Sequence, residues 1–143
     1  MSPAVDAVRV RRRLERLEQL CAELDRAAAL ATAAVVGDRD LVAATERRLQ
    51  VAVQAAIDVA AHLVAASAIP TPEGYAGTFR ALAHAGVLDA GLAGRLVQAT
   101  GLRNLLVHDY LEVDPARLHA GLAADVADLR AFVASVSRWL ATA

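Results

Sequence analysis

The sequence is poor in cysteine and in aromatic residues, and each scarcity excludes a class of protein. A single cysteine, Cys21, among 143 residues rules out a framework of intrachain disulfides. Aromatic residues make up 3% of the chain, so few rings are available to stack on nucleic-acid bases. The 15 basic and 16 acidic residues nearly balance, which excludes a uniformly cationic surface. Any contact with nucleic acid must therefore come from a local patch.

The chain also lacks an uninterrupted hydrophobic segment long enough to span a bilayer. Its most apolar stretch, 51–69, is interrupted by Gln54, Asp58 and His62. A central aspartate alone costs about 2.5–3.5 kcal/mol on membrane-insertion scales, so a buried helix of a soluble protein is preferred. The arginines near the N-terminus are followed by charged residues rather than by an apolar core, so no secretory signal is predicted. We expect a cytoplasmic protein without membrane contact.

The residues in excess are small or straight-chain apolar ones. The sequence is 57% hydrophobic, with alanine, leucine and valine supplying most of that fraction. Such residues favour close-packed helices, and no stretch shows the alternation typical of a strand. The length suits one domain with one buried core. We therefore predict a single all-α domain over residues 1–143, an up-and-down bundle of about five helices.

Apolar residues recurring at intervals of three and four positions predict where the helices lie. Breaks are predicted at Gly37, at 69–74 and at Gly86, and N-caps at Asp89 and Asp114. The predicted helices span 5–36, 40–67, 75–85, about 90–110 and about 115–140. The second is apolar nearly all round in its later half, which predicts a central position in the bundle.

One short stretch, 101–110, concentrates chemically active side chains in this otherwise apolar sequence. Arginine offers planar donors that suit a phosphate, and histidine changes protonation state nearest to neutral pH. If the fourth helix continues through this stretch, its polar face carries Arg103, Asn104, Val107, His108 and Tyr110. The opposite face, predicted to meet the core, carries Leu102, Leu105, Leu106 and Asp109.

These polar side chains suit metal-free cleavage of an RNA phosphodiester by its own ribose 2′-hydroxyl. His108 would move the proton, Arg103 would stabilise charge on the phosphoryl oxygens, and Asn104 would hold either group in place. On spacing alone, a hydrogen-bonded surface or a dimer contact is the more frequent reason for such a cluster.

The spacing of the cluster resembles that of a known family. Arg103, His108 and Tyr110 match the R-x4-H-x-Y motif of the HepT-like toxins, which belong to the HEPN superfamily of helical ribonuclease domains. The segments 55–63 and 75–86 are also similar to that family. The resemblance therefore extends over nearly the whole chain.

The resemblance implies an RNA-cleaving toxin of a toxin–antitoxin pair, acting as a homodimer without metal or cofactor. Arg103 and His108 would be its catalytic pair, with Asn104 in support. The partner would be a minimal nucleotidyltransferase antitoxin that attaches AMP to Tyr110. Such adducts would add phosphate charge beside Arg103 and occupy the position of the substrate phosphate.

Two other functions remain open at this point. The chain is alternatively a non-catalytic helical module that docks a nucleotidyltransferase and only displays Tyr110. It is otherwise a nucleotide-binding regulatory domain in which the face around Arg103 holds a small phosphate ligand.

Several further residues carry predictions of their own. Asp58 and His62 lie four apart and are predicted to form a satisfied polar pair, with support of the Arg103–His108 face as the alternative. The five arginines between positions 9 and 16 are interpreted as a solvated helix face rather than an RNA contact. Cys21 lies on an apolar stripe and is predicted to be buried and inert. No Cys/His spacing is typical of a zinc site, so no metal is predicted.

Overall fold

The computed structural model describes residues 5–67, 69–70, 73–108 and 113–142, with the backbone alone at positions 107 and 108. These residues form six helices and no strand, which confirms the predicted all-α class. The helices are α1 (Ala7–Ala28), α2 (Thr32–Val36), α3 (Arg39–Ala66), α4 (Gly74–His84), α5 (Ala90–His108) and α6 (Pro115–Thr142).

Short acidic side chains fix where most of the helices begin. An aspartate at the N-cap accepts a hydrogen bond from one of the backbone N–H groups that the first turn leaves unpaired. Asp38 accepts from the Leu41 N–H at 3.1 Å, and Asp89 from the Leu92 N–H at 2.8 Å. Asp114 opens α6 in the same way, directly before Pro115. The predicted caps at Asp89 and Asp114 are confirmed.

Helix α3 is the centre of the bundle, as its composition predicts. It packs against every other helix, and Leu49, Ile57 and Leu63 on it are fully buried. Beside it, Phe79 and Phe132 meet edge to face with ring centroids 6.0 Å apart. Within the described ranges α3 is the one helix long and apolar enough to cross a membrane, but 56% of its most apolar window is buried inside the protein. We therefore assign it to the core.

The predicted first helix, 5–36, is wrong in one respect, because the chain breaks it into α1 and α2. No glycine or proline lies at the break. Instead, the imidazole of His119 on α6 contacts the Ala27 carbonyl oxygen through Nε2 and the Thr32 hydroxyl through Nδ1, both at 3.0 Å. The Ala27 carbonyl also accepts from the Leu30 N–H at 3.2 Å, so the ring adds a second contact there and ties the end of α1 to the start of α2. The bundle has six helices rather than five for this reason.

The prediction of which residues of α5 meet the core is only partly correct. Leu102 and Leu106 are half-buried and pack against the core, whereas Leu105 is 58% exposed. Leu105 therefore adds apolar surface beside the polar cluster.

Cys21 is buried in the core, as predicted. Burial disfavours the thiolate and raises the pKa of the Cys21 thiol to about 11. The thiol is therefore protonated at neutral pH and has little nucleophilic character.

The ionisation of Asp125 on α6 is expected to make the free energy of unfolding depend on pH. Desolvation, and secondly the nearby Asp128 carboxylate, raise the pKa of Asp125 to about 6. The folded protein thus keeps this proton up to about pH 6, whereas the unfolded chain releases it near pH 4, so this group's contribution to stability falls as the pH rises between those values. We expect Asp125→Asn to raise the free energy of unfolding by about 1–2 kcal/mol at pH 7.5.

The same substitution should have little effect at pH 4, where the carboxyl is already neutral in the folded state. Thermal unfolding of both proteins across this pH range measures the difference. A stabilisation that is equal at pH 4 and pH 7.5 would contradict the role assigned to the Asp125 charge.

Candidate phosphate-binding site

The last turns of α5 hold Arg103 in a restrained position. One terminal nitrogen of its guanidinium donates to Oδ1 of Asn104 at 3.1 Å, and its central carbon lies 5.9 Å from the ring centroid of Tyr75 on α4. Its Nε is buried and has no hydrogen-bond partner in the described part of the chain. An amide and a ring face thus orient this cation while donors of the guanidinium remain available.

Arg103 lines a cavity of about 270 Å³ that is formed by α1, α3 and α5. Four arginines and one carboxylate face it, so positive charge is concentrated here although the whole chain has a net charge of −1. The lining residues other than Arg103 are Arg13 and Arg16 from α1, and Arg47, Gln50, Val51, Gln54, Ala55 and Asp58 from α3. A concave site with this charge attracts an anion.

Asp58 organises the side of the cavity opposite Arg103. Its carboxylate accepts from Nε2 of Gln54 at 2.9 Å and from the guanidinium of Arg13 at 3.3 Å. Oε1 of Gln54 is itself buried without a partner among the described residues. The Asp58 carboxylate therefore holds one cation of the cavity in place and fixes the orientation of its neighbouring amide.

The predicted polar pair between Asp58 and His62 is wrong. Nε2 of His62 accepts from the backbone N–H of Asp6 at 3.1 Å, and Asp6 in turn caps α1 through the Arg9 N–H. Asp58 is therefore hydrogen-bonded to a residue within α1, and His62 to the N-cap residue that precedes α1. His62 lines a neighbouring cavity that Asp58 and Arg13 share.

The structure brings together some of the predicted site residues. Arg103 and Asn104 are hydrogen-bonded, and Asp58 lines the same cavity as Arg103. His108 is the last residue of α5, four positions after Asn104, and its side chain lies outside the description. Tyr110 also lies outside the described residues, so the roles predicted for these two side chains stay predictions.

Sequence reasoning named Asp58 as a residue that could support this site but missed Arg47, Gln50 and Gln54 of α3, and it missed Tyr75. Arg47, Gln50, Gln54 and Asp58 recur at intervals of three and four residues, which places them on one strip of a helix that is otherwise apolar. That strip is a signal of a polar cavity in the sequence itself. The position of the Tyr75 ring beside Arg103 has no comparable local signal, because it depends on how α4 packs.

No group of three or more histidine, cysteine, aspartate or glutamate side chains with the geometry to hold a metal ion is found in the ranges that the structure covers. The side chains that do converge on the cavity include four arginines and two amides, with Asp58 as the one carboxylate. What the described arrangement can do chemically is bind and orient a phosphate group.

Comparison with known proteins relates the whole described bundle to one family. The family described as Ribonuclease HepT-like matches residues 10–136. A relative from Aphanizomenon flos-aquae (strain 2012/KM1/D3), the tRNA nuclease HepT, is 32% identical over 101 residues, which cover 68% of this chain and 67% of that protein.

Solved structures share the fold at low sequence identity. YutE of Bacillus subtilis, a cytosolic protein of unknown function, superposes with a TM-score of 0.86 at 19% identity over 99% of this chain and 94% of YutE. A chain of the toxin–antitoxin complex MntA-HpeT gives 0.81 at 20% identity over 90% and 97% of the two chains. The tri-AMPylated Shewanella oneidensis HEPN toxin in complex with MNT antitoxin gives 0.67 at 23% identity over 85% and 96%.

Proposed function

Because this chain belongs to the HepT-like ribonuclease family, we propose that it is an endoribonuclease toxin that cleaves RNA without a metal ion. The observation that carries the proposal is the restraint of Arg103: Asn104 and Tyr75 hold its guanidinium at a cavity rich in arginine. A planar cation fixed beside such a cavity suits the charge that develops on a phosphodiester under attack.

The proposed reaction uses the two motif residues in complementary roles. His108 accepts the proton of a ribose 2′-hydroxyl, whose oxygen forms a bond to the adjacent phosphorus as the bond from phosphorus to the 5′-oxygen breaks. The same histidine returns the proton to the departing 5′-oxygen. Arg103 donates hydrogen bonds to the non-bridging oxygens throughout. The products are a 2′,3′-cyclic phosphate and a free 5′-hydroxyl.

Cleavage of RNA by the purified, unmodified protein in the presence of EDTA tests this proposal. We expect turnover to persist in EDTA and to stop when the ribose at the cut site carries a 2′-deoxy substitution, since the attacking oxygen is then missing. Cleavage of the 2′-deoxy substrate at an undiminished rate would contradict the mechanism. A chain that binds a nucleotidyltransferase partner but never turns over RNA would instead be the non-catalytic docking module.

The proposal also covers the oligomeric state of the protein and its location in the cell. We propose a cytoplasmic homodimer, supported by the apolar side chains that lie exposed beside the site. Tyr75, which is 45% exposed, lies against Arg103, and Leu105, which is 58% exposed, lies two residues further along α5. Large apolar groups left at a surface favour association with another protein surface.

The partner in this proposal is a nucleotidyltransferase-type antitoxin that attaches AMP to Tyr110. The solved HEPN toxin of Shewanella oneidensis is tri-AMPylated and bound to MNT antitoxin, which supports the same control here. We expect the intact mass of this protein to rise by one or more AMP units on co-expression with its partner, with loss of RNA cleavage. Phosphate charge placed close to Arg103 would compete with the substrate phosphate.

Tyr110→Phe, which removes only the acceptor hydroxyl, should abolish that mass increase. Tyr75→Phe is the matched control, because it removes the hydroxyl of the other tyrosine, which is 45% exposed, and keeps the ring beside Arg103. AMP recovered on a residue other than Tyr110 would contradict the assignment.

A further inference from the structure

Four arginines of α1 lie along one side of the helix and line the cavity of Arg103 or the cavities beside it: Arg9, Arg12, Arg13 and Arg16. Arg13 lines three adjoining cavities: the first with Arg103, the second with Asp58 and His62, and the third with Arg9 and Arg12. Because Arg13 lines all three, these cavities lie next to one another along α1, and we refer to them together as the groove. Arg11, on the same helix, lines none of these three and is exposed.

The charge of this groove is only partly neutralised. Arg13 pairs with Asp58 at 3.3 Å, which positions its guanidinium in the groove. Arg16 and Arg47 form no ion pair within 4 Å in the part of the chain that the structure covers. Cations that converge without carboxylate partners raise the local positive potential and favour an anionic ligand.

The groove is longer than a single phosphate group. Arg9 and Arg16 are seven residues apart, which corresponds to about 10 Å along the helix axis. Arg103 lines the same cavity as Arg16 and Arg47. Such a row matches a chain of linked phosphates better than it matches one mononucleotide.

We propose that Arg13, Arg16 and Arg47 bind the RNA backbone phosphates that flank the phosphate held by Arg103. This inference rests on the proposed ribonuclease function and adds to it the residues that recognise the length of the substrate. Recognition through the backbone also fits a chain with few aromatic rings for base stacking. The arginine face of α1, interpreted from sequence as merely solvated, then has a role in binding.

The test measures RNA affinity at several salt concentrations in proteins that also carry His108→Ala, so that the RNA stays intact. We expect the double substitution Arg16→Gln and Arg47→Gln to weaken binding of a single-stranded RNA of about ten nucleotides by about 10-fold. The dependence of log Kd on log salt should become shallower by about 1.4, since each phosphate contact on a single strand contributes about 0.7. Arg11→Gln combined with Arg117→Gln is the matched control, because it also removes two positive charges, from exposed positions that line none of the three cavities.

Two results would overturn the inference. One is that the variant at Arg16 and Arg47 binds RNA as the control at Arg11 and Arg117 does. The other is that it loses only the nucleotidyltransferase partner, which would make the groove a protein interface. Failure of the proposed function is visible separately, because the protein with native His108 would then not cleave RNA at all.

Discussion

Replacing His108 with alanine should lower kcat/KM for RNA by about 100- to 10,000-fold, the range over which a positioned general acid–base group accelerates proton transfer. The proposed reaction must remove a proton from the 2′-hydroxyl and deliver one to the 5′-oxygen. The polar side chains that line the Arg103 cavity are four arginines, two amides and the Asp58 carboxylate, which is paired with Arg13. None of them suits both accepting and returning this proton at neutral pH. We assign both proton transfers to His108, which lies one turn beyond Asn104.

The measurement is cleavage of a defined RNA at saturating and at limiting substrate. His84→Ala is the matched control, because His84 lies exposed on α4 and lines a different cavity. Both variants should unfold at the temperature of the native protein. Cleavage by the His108 variant within about threefold of the native rate would remove this histidine from the mechanism.

Replacing Arg103 is expected to have the second largest effect. Loss of a donor aimed at developing negative charge costs about 100- to 1,000-fold in kcat, and Arg103→Ala removes such a donor. Arg103→Lys should recover little of that loss, because an ammonium cannot donate to Asn104 and to a phosphoryl oxygen in one plane. The ring of Tyr75, 5.9 Å from the guanidinium carbon, also favours the flat cation.

Arg117→Ala serves as the control for loss of one positive charge, since Arg117 lies exposed on α6 away from the cavity. Steady-state kinetics of the three variants would separate the effect of the positive charge on kcat from the effect of the planar guanidinium. Full activity of Arg103→Lys would show that only the charge matters, and full activity of Arg103→Ala would contradict the proposed site.

The fold could be predicted closely where local chemistry decides it. Aspartates that cap helices act on backbone groups two or three residues away, so Asp89 and Asp114 mark helix starts in the sequence itself. The break between α1 and α2 could not be predicted in this way. It depends on His119, which contacts the end of α1 from a helix more than ninety residues further along the chain.

The same distinction explains what was predictable in the site. Arg103 and Asn104 are adjacent in sequence, so their proximity is automatic. Arg103, Arg13 and Arg47 line one cavity because three helices meet there. The periodicity of a single sequence predicts which face of each helix is buried, but not which helices pack together. Asp58 illustrates the limit, because its spacing suggested His62 as its partner whereas packing supplies Arg13.

A double-mutant cycle on Arg103 and His108 tests most directly whether the two side chains act on one phosphodiester. Residues that act as a unit give strongly non-additive losses, because removal of either one already disables the shared step. If each single alanine variant lowers kcat/KM by about 1,000-fold, we predict that the double variant loses little more than that. Losses that multiply to about a million-fold, as expected for two independent sites, would contradict the convergence of Arg103 and His108 on the RNA backbone.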